Sequence, residues 1–531
     1  MALRHRIPVK LRQNWKLVAL CAVFLVACWG VFGSGTIRPY VTTSGTVQAG
    51  TVVQNLTGTR ELFDAATPHE VTLTFRDEGY QDMLTEYFKD GDKKYVEADL
   101  TIDGTRIPSV GIRLKGNSTL QGFTWKGQSR PRVRPGGGGP PEGFRPPADG
   151  RPPGNAQPPG NGQRPGNAQP PGNGQPPGVG RPPGGGRAGF GQLKAEEPEN
   201  LPWLISFDEF VAGRRYQGHS QIAVRPAAQQ SSTLLNEALA IAMVGAAGEP
   251  TQRTTYSSFS VNGRASRPRL LVEYLDEGYA ERLGDGVLYK SLASSSFTYQ
   301  GEDQTAYVDD FKQVNLKGER DLQPVIGFIK WVEEASDEEF AKGLAERLDV
   351  ESFARYAALQ NLLLNFDDMS GPGRNYYLWY DLGTSKFRVI SWDLNFAFSG
   401  DATAGPEETI SRGFGARPRR AAQRDQQAQP PAGGGPRMMG HALKDRFLKD
   451  AGFKKLYERE YATLYRELLA GGTATKLLDE ALAAYGRNAG ADTARATREA
   501  TEEATEEATK EATALRETLQ TRTKALSSLA S

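Results

Sequence analysis

Cysteine is absent from nearly the whole chain. The two that occur, Cys21 and Cys28, sit close to the N-terminus. Everything beyond them can form no disulfide, offer no thiol nucleophile and bind no zinc through sulfur. Histidine is scarce too. His5, His69, His219 and His441 are scattered, without the spacing of zinc ligands. No G-x-S-x-G elbow occurs, so hydrolase chemistry has little footing. Neither charge is in excess: 64 basic against 63 acidic residues leave a net charge of +1. That balance gives no reason to expect a nucleic-acid partner. The hydrophobic share, 38%, is low because 60 Gly and 33 Pro crowd mainly into one stretch.

What is present begins with a basic N-terminus. Arg4, Arg6, Lys10, Arg12 and Lys16 precede an uncharged, mostly apolar run from Leu17 to Gly35. At 1.5 Å per residue that run reaches roughly 28 Å, enough to cross a hydrocarbon core. The basic flank keeps the N-terminus in the cytoplasm. The expectation is a single-pass anchor in the cell membrane with the rest of the chain outside the cytoplasm. No clean A-x-A cleavage site follows. Leu25-Val26-Ala27-Cys28 resembles a lipobox, so a lipoprotein or a cleaved, secreted form is the alternative.

Residues 36–68 read as an extended linker, and periodic structure starts near His69. VTLTF (71–75) alternates as a strand, and DMLTEYF (82–88) has helical spacing. VEADLTIDG (96–104) and SVGIRLKG (109–116) read as strands split by the turn Asp103-Gly104. A Pro/Gly insert, about 128–192, carries six-residue repeats with no apolar side chain to bury. It reads as disordered and extended. SSTLLNEALAIAMVGA (231–246) and VESFARYAALQNLLLNF (350–366) read as helices. Two hairpins follow from TTYSSFSVNG with RPRLLVEYL (254–275) and NYYLWYD with KFRVISWDLNF (375–396). A second, basic insert covers about 401–437. The end of the chain is helical, with Ala500, Ala504, Ala508 and Ala512 at four-residue spacing. A solvated single helix is the simplest reading of that repeat.

Carboxylates are the better lead to chemistry. Helix 350–366 runs into Asp367-Asp368, a Gly/Pro loop and Asn375. The apolar strand FRVISW then delivers Asp393, with Asn395 two residues on. An acid at a strand end, facing an acid and an Asn from one loop, can hold a hard divalent cation through oxygen. Protein kinases use the same order of base Asp, metal Asn, hairpin and metal Asp. Asp residues at such places also serve simply as caps of helices and turns.

GIRLKGNST (111–119), SFDEFVAGRRYQGH (206–219), SSFSVNG with LLVEYLDEGY (257–279) and GVLYKS (286–291) resemble the CotH kinase family. The most specific likeness is NFDDMSGPGRNYYLWY with FRVISWDLNFAF. The resemblance spans roughly 69–470. It implies an α+β, atypical protein-kinase-like domain that uses ATP and Mg²⁺ or Mn²⁺ to phosphorylate Ser/Thr of secreted, coat or envelope proteins. With the segments read above, the domains are 1–35 (anchor), 36–68 (linker), 69–470 (the CotH-like domain with its two inserts) and 471–531 (a helical Ala/Thr/Glu-rich tail). Carried over residue by residue, Asp367 takes the catalytic-loop acid, with Asp368 its rival. Asn375 and Asp393 become metal ligands. Asn395 stands where the family has a second terminal Asp. A Lys that the family often carries before the LISFDEF strand is replaced here by Leu201-Pro202. Lys115 and Lys290 are candidates for the cationic role, with Glu273 as an ion-pair partner and Asn117 near the phosphates. The changed Lys and Asn395 define the alternative, a kinase-like scaffold that binds envelope or coat components.

Overall fold

The computed structural model describes residues 52–116, 118–120, 122–130, 193–226, 231–411, 440–489 and 498–530. The Leu17–Gly35 run, Asn117 and most of both inserts lie outside these. Among the described residues no helix is long and apolar enough to cross a membrane.

The chain is α+β. It begins with β1 (Gln54–Leu56), β2 (Glu70–Phe75), α1 (Asp77–Asp90), β3 (Val96–Ile102) and β4 (Thr105–Leu114). Two short strands, β5 (Thr124–Trp125) and β6 (Gln128–Ser129), pair with each other, so that the first residues of the insert, read as disordered, are in fact strand. After it come β7 (Trp203–Ser206), β8 (Arg214–Tyr216), β9 (Gln221–Val224), α2 (Leu235–Ala246), β10 (Thr254–Val261) and β11 (Arg267–Glu273). Strands β10-β11-β9-β7-β4-β3-β2 close into a barrel, sealed by the parallel pairing of β10 with β2. Closure removes every free edge from this sheet. Alternation explains its core: Val71, Leu73, Leu100, Ile102, Ile112 and Ile205 point inward and are fully buried. Order begins ahead of His69. β1 pairs with β8, and Leu62 and Phe63 join the barrel core.

The second half contains α3 (Glu277–Leu283), β12 (Gly286–Ser291), β13 (Phe311–Gln313), α4 (Gln323–Glu334), α5 (Asp337–Gly343) and α6 (Val350–Leu362). The hairpin β14 (Tyr376–Asp381) and β15 (Lys386–Ser391) completes a sheet of order β13-β12-β14-β15. Helices α7 (Ala442–Lys449), α8 (Ala451–Leu464), α9 (Thr473–Ala489) and α10 (Arg498–Ala525) close the chain. The four-residue repeat is not a solvated helix throughout. On α10, Ala508, Ala512, Leu515 and Leu519 are buried in the same core as α6 and α8. Glu511 accepts hydrogen bonds from Ser231 and Thr233 ahead of α2. The buried Arg522 reaches the Asn361 carboxamide on α6 at 2.6 Å. Ser231 therefore serves the tail helix as well as the α2 entry, where it accepts from the Leu234 amide.

Candidate active site

The site is built on the end of α6. Asp349 caps the helix by accepting from the Ser352 amide at 3.1 Å, and α6 is buried along most of its length. Leu364 then takes a left-handed backbone, φ 52°, which ends the helix and turns the chain into a loop. Asn365 fixes that loop. Its amide donates to Gln360 at 2.8 Å, and its oxygen accepts from the Asp367 amide at 3.2 Å. Asp367 is held at both oxygens: Gly373 N–H donates to Oδ1 at 2.6 Å and Asn375 Nδ2 to Oδ2 at 3.0 Å. Gly373 is required there. A Cβ would lie 2.5 Å from Asn375 Nδ2 and 2.7 Å from Asp367 Oδ2.

The β14–β15 hairpin brings Asp393 to the same place. Asp393 stands just past β15 with φ 54° and ψ 57°, a left-handed conformation that is uncommon outside glycine. Its Oδ1 accepts from Arg225 Nη2 at 2.6 Å, and Arg225 Nε donates to Glu237 of α2 at 2.8 Å. Arg225 and Glu237 are both buried, so each charge is compensated in place.

Between these elements opens a cleft of about 530 Å³, lined by Asp367, Asn375 and Asp393 together with Lys93, Arg113, Lys115, Lys290, Tyr274 and Trp392. That is the size of a small-ligand pocket. Lys115, one residue past β4, lies 5.2 Å from the Trp392 ring centroid. Lys290 on β12 lies at the same distance from that ring and donates to the Tyr274 hydroxyl at 3.3 Å.

Burial lifts the Asp367 carboxyl to about 7, the nearby Asp393 and Asp368 adding to it against the Gly373 and Asn375 hydrogen bonds. Burial also pushes on Asp393, but Arg225 and Lys115 reverse it and hold that carboxyl below its usual range. Two acids in one cleft are thus driven apart, one able to gain or lose a proton near neutrality and one a fixed anion. Burial, with Arg225 adding, lowers Lys115 to about 7, and Asp393 opposes the shift.

The donor set suits a cation shared with phosphate. Mg²⁺ takes one or two carboxylates and fills its remaining positions with phosphate oxygen and water. Asp393 and Asn375 can supply that much. Among the described residues no cluster of three or more His, Cys, Asp or Glu could cage an ion without such help.

A family model described as CotH kinase protein matches residues 190–526. This chain belongs to the CotH kinase family. Membership makes it a kinase-like protein. A search of curated proteins finds no match. The CotH match starts near the end of the first insert and runs through α10, so Lys93, Arg113 and Lys115 lie outside it.

Within this CotH kinase member, the cleft brings together Asp367, Asn375, Asp393, Lys115 and Lys290. Three expected residues are not brought there. Asp368 turns to the other side of its loop, where Oδ1 accepts from the Ser370 amide at 2.8 Å and Oδ2 pairs with Lys444. It lines a separate cavity of about 510 Å³ with Lys444 and Asn361. Glu273 is not the partner of Lys115 or Lys290. Strand alternation points it away from Tyr274, and Arg253 and Arg282 pair with it. Asn395 lies off the cleft lining, and its main-chain carbonyl accepts from Asn236 at 2.8 Å. Asn117 falls outside the described residues.

Sequence reasoning missed Arg225 and Glu237. Glu237 carried a signal, a lone acid in the apolar run LLNEALAIAM. Arg225 carried little, because its contact with Asp393 joins residues 168 positions apart.

Proposed function

We propose that this chain is an ATP- and Mg²⁺-dependent protein kinase of atypical kinase-like fold, acting outside the cytoplasm on Ser/Thr of envelope or coat proteins. The observation that carries this reading is the convergence of Asp367, Asn375, Asp393 and Lys115 on one cleft. Asp367 orients the acceptor hydroxyl and takes its proton as the oxygen attacks the γ-phosphorus and the bridging oxygen leaves with ADP. Asn375 holds Asp367 by Nδ2 and so turns its own amide oxygen away, as a ligand. Arg225, anchored by Glu237, sets the angle of Asp393. Lys115 faces the phosphates. Bound Mg²⁺ would supply neutralisation of phosphate charge, on which phosphoryl transfer depends. Export rests on the basic N-terminus and the run to Gly35.

One observation favours the scaffold alternative: Arg225 already occupies one oxygen of Asp393, and protein donors satisfy both oxygens of Asp367. ATP binding to the full chain, with and without Mg²⁺ or Mn²⁺, separates the two. The kinase reading expects metal-dependent binding that Asp393→Ala removes. Absence of nucleotide binding with either metal would leave the scaffold.

A further inference from the structure

The cleft holds more positive charge than its carboxylates answer. Lys290 on β12 stands directly opposite Lys312 on β13 in the antiparallel ladder. Like charges in that register repel at about 5 Å between Cβ atoms. Lys290 shares the cleft wall with Lys93 and Arg113. Burial brings Lys93 down to about 8, and the charges that add to this are Arg113, Lys290 and Arg130. Lys312 is lowered first by burial and then, against Tyr274, by Lys317, Lys290 and Arg113. The acids nearby are otherwise engaged: Asp393 by Arg225, Asp367 by Gly373 and Asn375, and Glu277 by Lys317 at 3.7 Å. Glu209 lies within electrostatic reach of Arg113. The polar contact of Lys290 is a tyrosine hydroxyl.

The direction of this charge matters. It leads from Lys290, half-buried in the cleft, to Lys312, exposed on the edge strand of the four-stranded sheet. A nucleotide whose phosphates meet Asp393 and Lys115 needs no cation at that edge. A chain entering from solvent does.

We propose that Lys93, Arg113, Lys290 and Lys312 form a second anion subsite, which receives an anionic side chain of the acceptor segment beside its accepting hydroxyl. The inference rests on the kinase reading only for the word acceptor. Carboxylate and phosphate share the required chemistry, so acidic and already phosphorylated segments are both taken.

The test is direct binding to the full chain. Fluorescein-labelled peptides carry one central Ser flanked by Glu, by phosphoserine, by Ala or by Lys, and anisotropy gives each Kd. The subsite expects the Glu and phosphoserine peptides to bind at least tenfold tighter than the Ala peptide. The preference should shrink as salt shortens the screening length. The ratio of Glu to phosphoserine affinity tells the two sources apart. Lys312→Glu, an exposed change that leaves the core intact, should abolish the preference while Mg²⁺-ATP affinity stays within twofold. Equal binding of all peptides overturns the proposal. So does a tenfold loss of ATP affinity in Lys312→Glu with peptide binding unchanged, which would assign the cluster to the nucleotide. Retained acidic-peptide binding without any ATP binding would instead end the kinase reading and keep the subsite.

Discussion

Glu273 and Tyr274 are neighbours at the end of β11, and they face opposite worlds. Glu273 is fully buried and answered on every side: Arg282 and Arg253 pair with its carboxylate, and the Arg253 amide donates to it at 3.0 Å. Tyr274, one residue on, looks into the cleft, where Lys290, Arg113 and Lys93 gather. The first cluster sets opposite charges together. The second sets like charges face to face, Lys290 standing opposite Lys312 in the ladder. Buried charge marks a fold in one place and a site in the other, and the balance of partners tells which. Sequence alone could not separate them, because both are a charged residue beside apolar strand residues.

The comparison breaks most visibly at the loop acids. Asp367→Ala should cut turnover by about 10²- to 10⁴-fold, the usual loss for a general base, while sparing much of the nucleotide binding. Asp368→Ala should leave turnover largely intact and lower the melting temperature, since Lys444 loses its partner. Steady-state kinetics with ATP and thermal melts of both variants check this. The reverse assignment would move the base to Asp368.

On the structural side, Glu273→Ala should cost stability and leave chemistry alone. It strands Arg253 and Arg282 beside a buried void. Both arginines are partly exposed, 38% and 44% at the side chain, so water softens the loss to about 2–3 kcal/mol, under the full buried-pair figure. Urea melts measure it. Loss of ATP affinity in the folded variant would show instead that Glu273 supports the cleft.

Much of the fold was legible and the site less so, for a common reason. Local pattern announces strands and helices: the β10–β11 and β14–β15 hairpins, α6 and the Asp103-Gly104 turn all lie where alternation, spacing and turn residues put them. Closure of the barrel was not legible, because it depends on β2 meeting β10 from far along the chain. In the site, Asp367, Asn375 and Asp393 follow one another closely enough to be read together. Arg225 and Glu237 come from a different part of the chain. The choice between Asp367 and Asp368 rests on a loop turned by Leu364, Gly371 and Gly373, where a one-residue change of direction exchanges two cavities. The α10 repeat misled for a related reason. Alanine every four residues looks inert until one face is seen against α2 and α6.

A subtler break in the comparison lies in pH. Asp367, raised to about 7 by burial first and by Asp393 and Asp368 next, keeps its proton in the folded chain where the unfolded chain has released it. The folded state therefore binds more protons between about pH 4 and 7, and stability falls as pH rises through that window. Asp367→Asn removes the titration. The melting temperature of the variant minus that of the parent, both without nucleotide, should climb from pH 5 to about 7 and level off above it. A flat difference would mean that Asp367 titrates normally.

The smallest effect belongs to the barrel. His69 is buried, with Nδ1 2.7 Å from Asp103 Oδ2 and Nε2 2.9 Å from the Asp64 carbonyl. Burial is the largest influence and lowers its pKa, but the bonds to Asp103 and Asp64 outweigh it and leave the imidazolium favoured. A histidine raised above its unfolded value contributes stability that is complete below about pH 6.5 and is lost as pH rises through the folded value. This window overlaps the upper end of that of Asp367, and the sign is the same. His69→Gln should therefore lessen the decline of melting temperature above pH 6.5 and leave the remainder to Asp367. Nucleotide affinity should not move, since His69 contacts Asp103, Asp64 and Thr67 and lines no part of the cleft. A decline above pH 6.5 that is undiminished in His69→Gln would place the titrating group elsewhere, and not at Lys115, since a lysine lowered to about 7 makes stability rise with pH above that value.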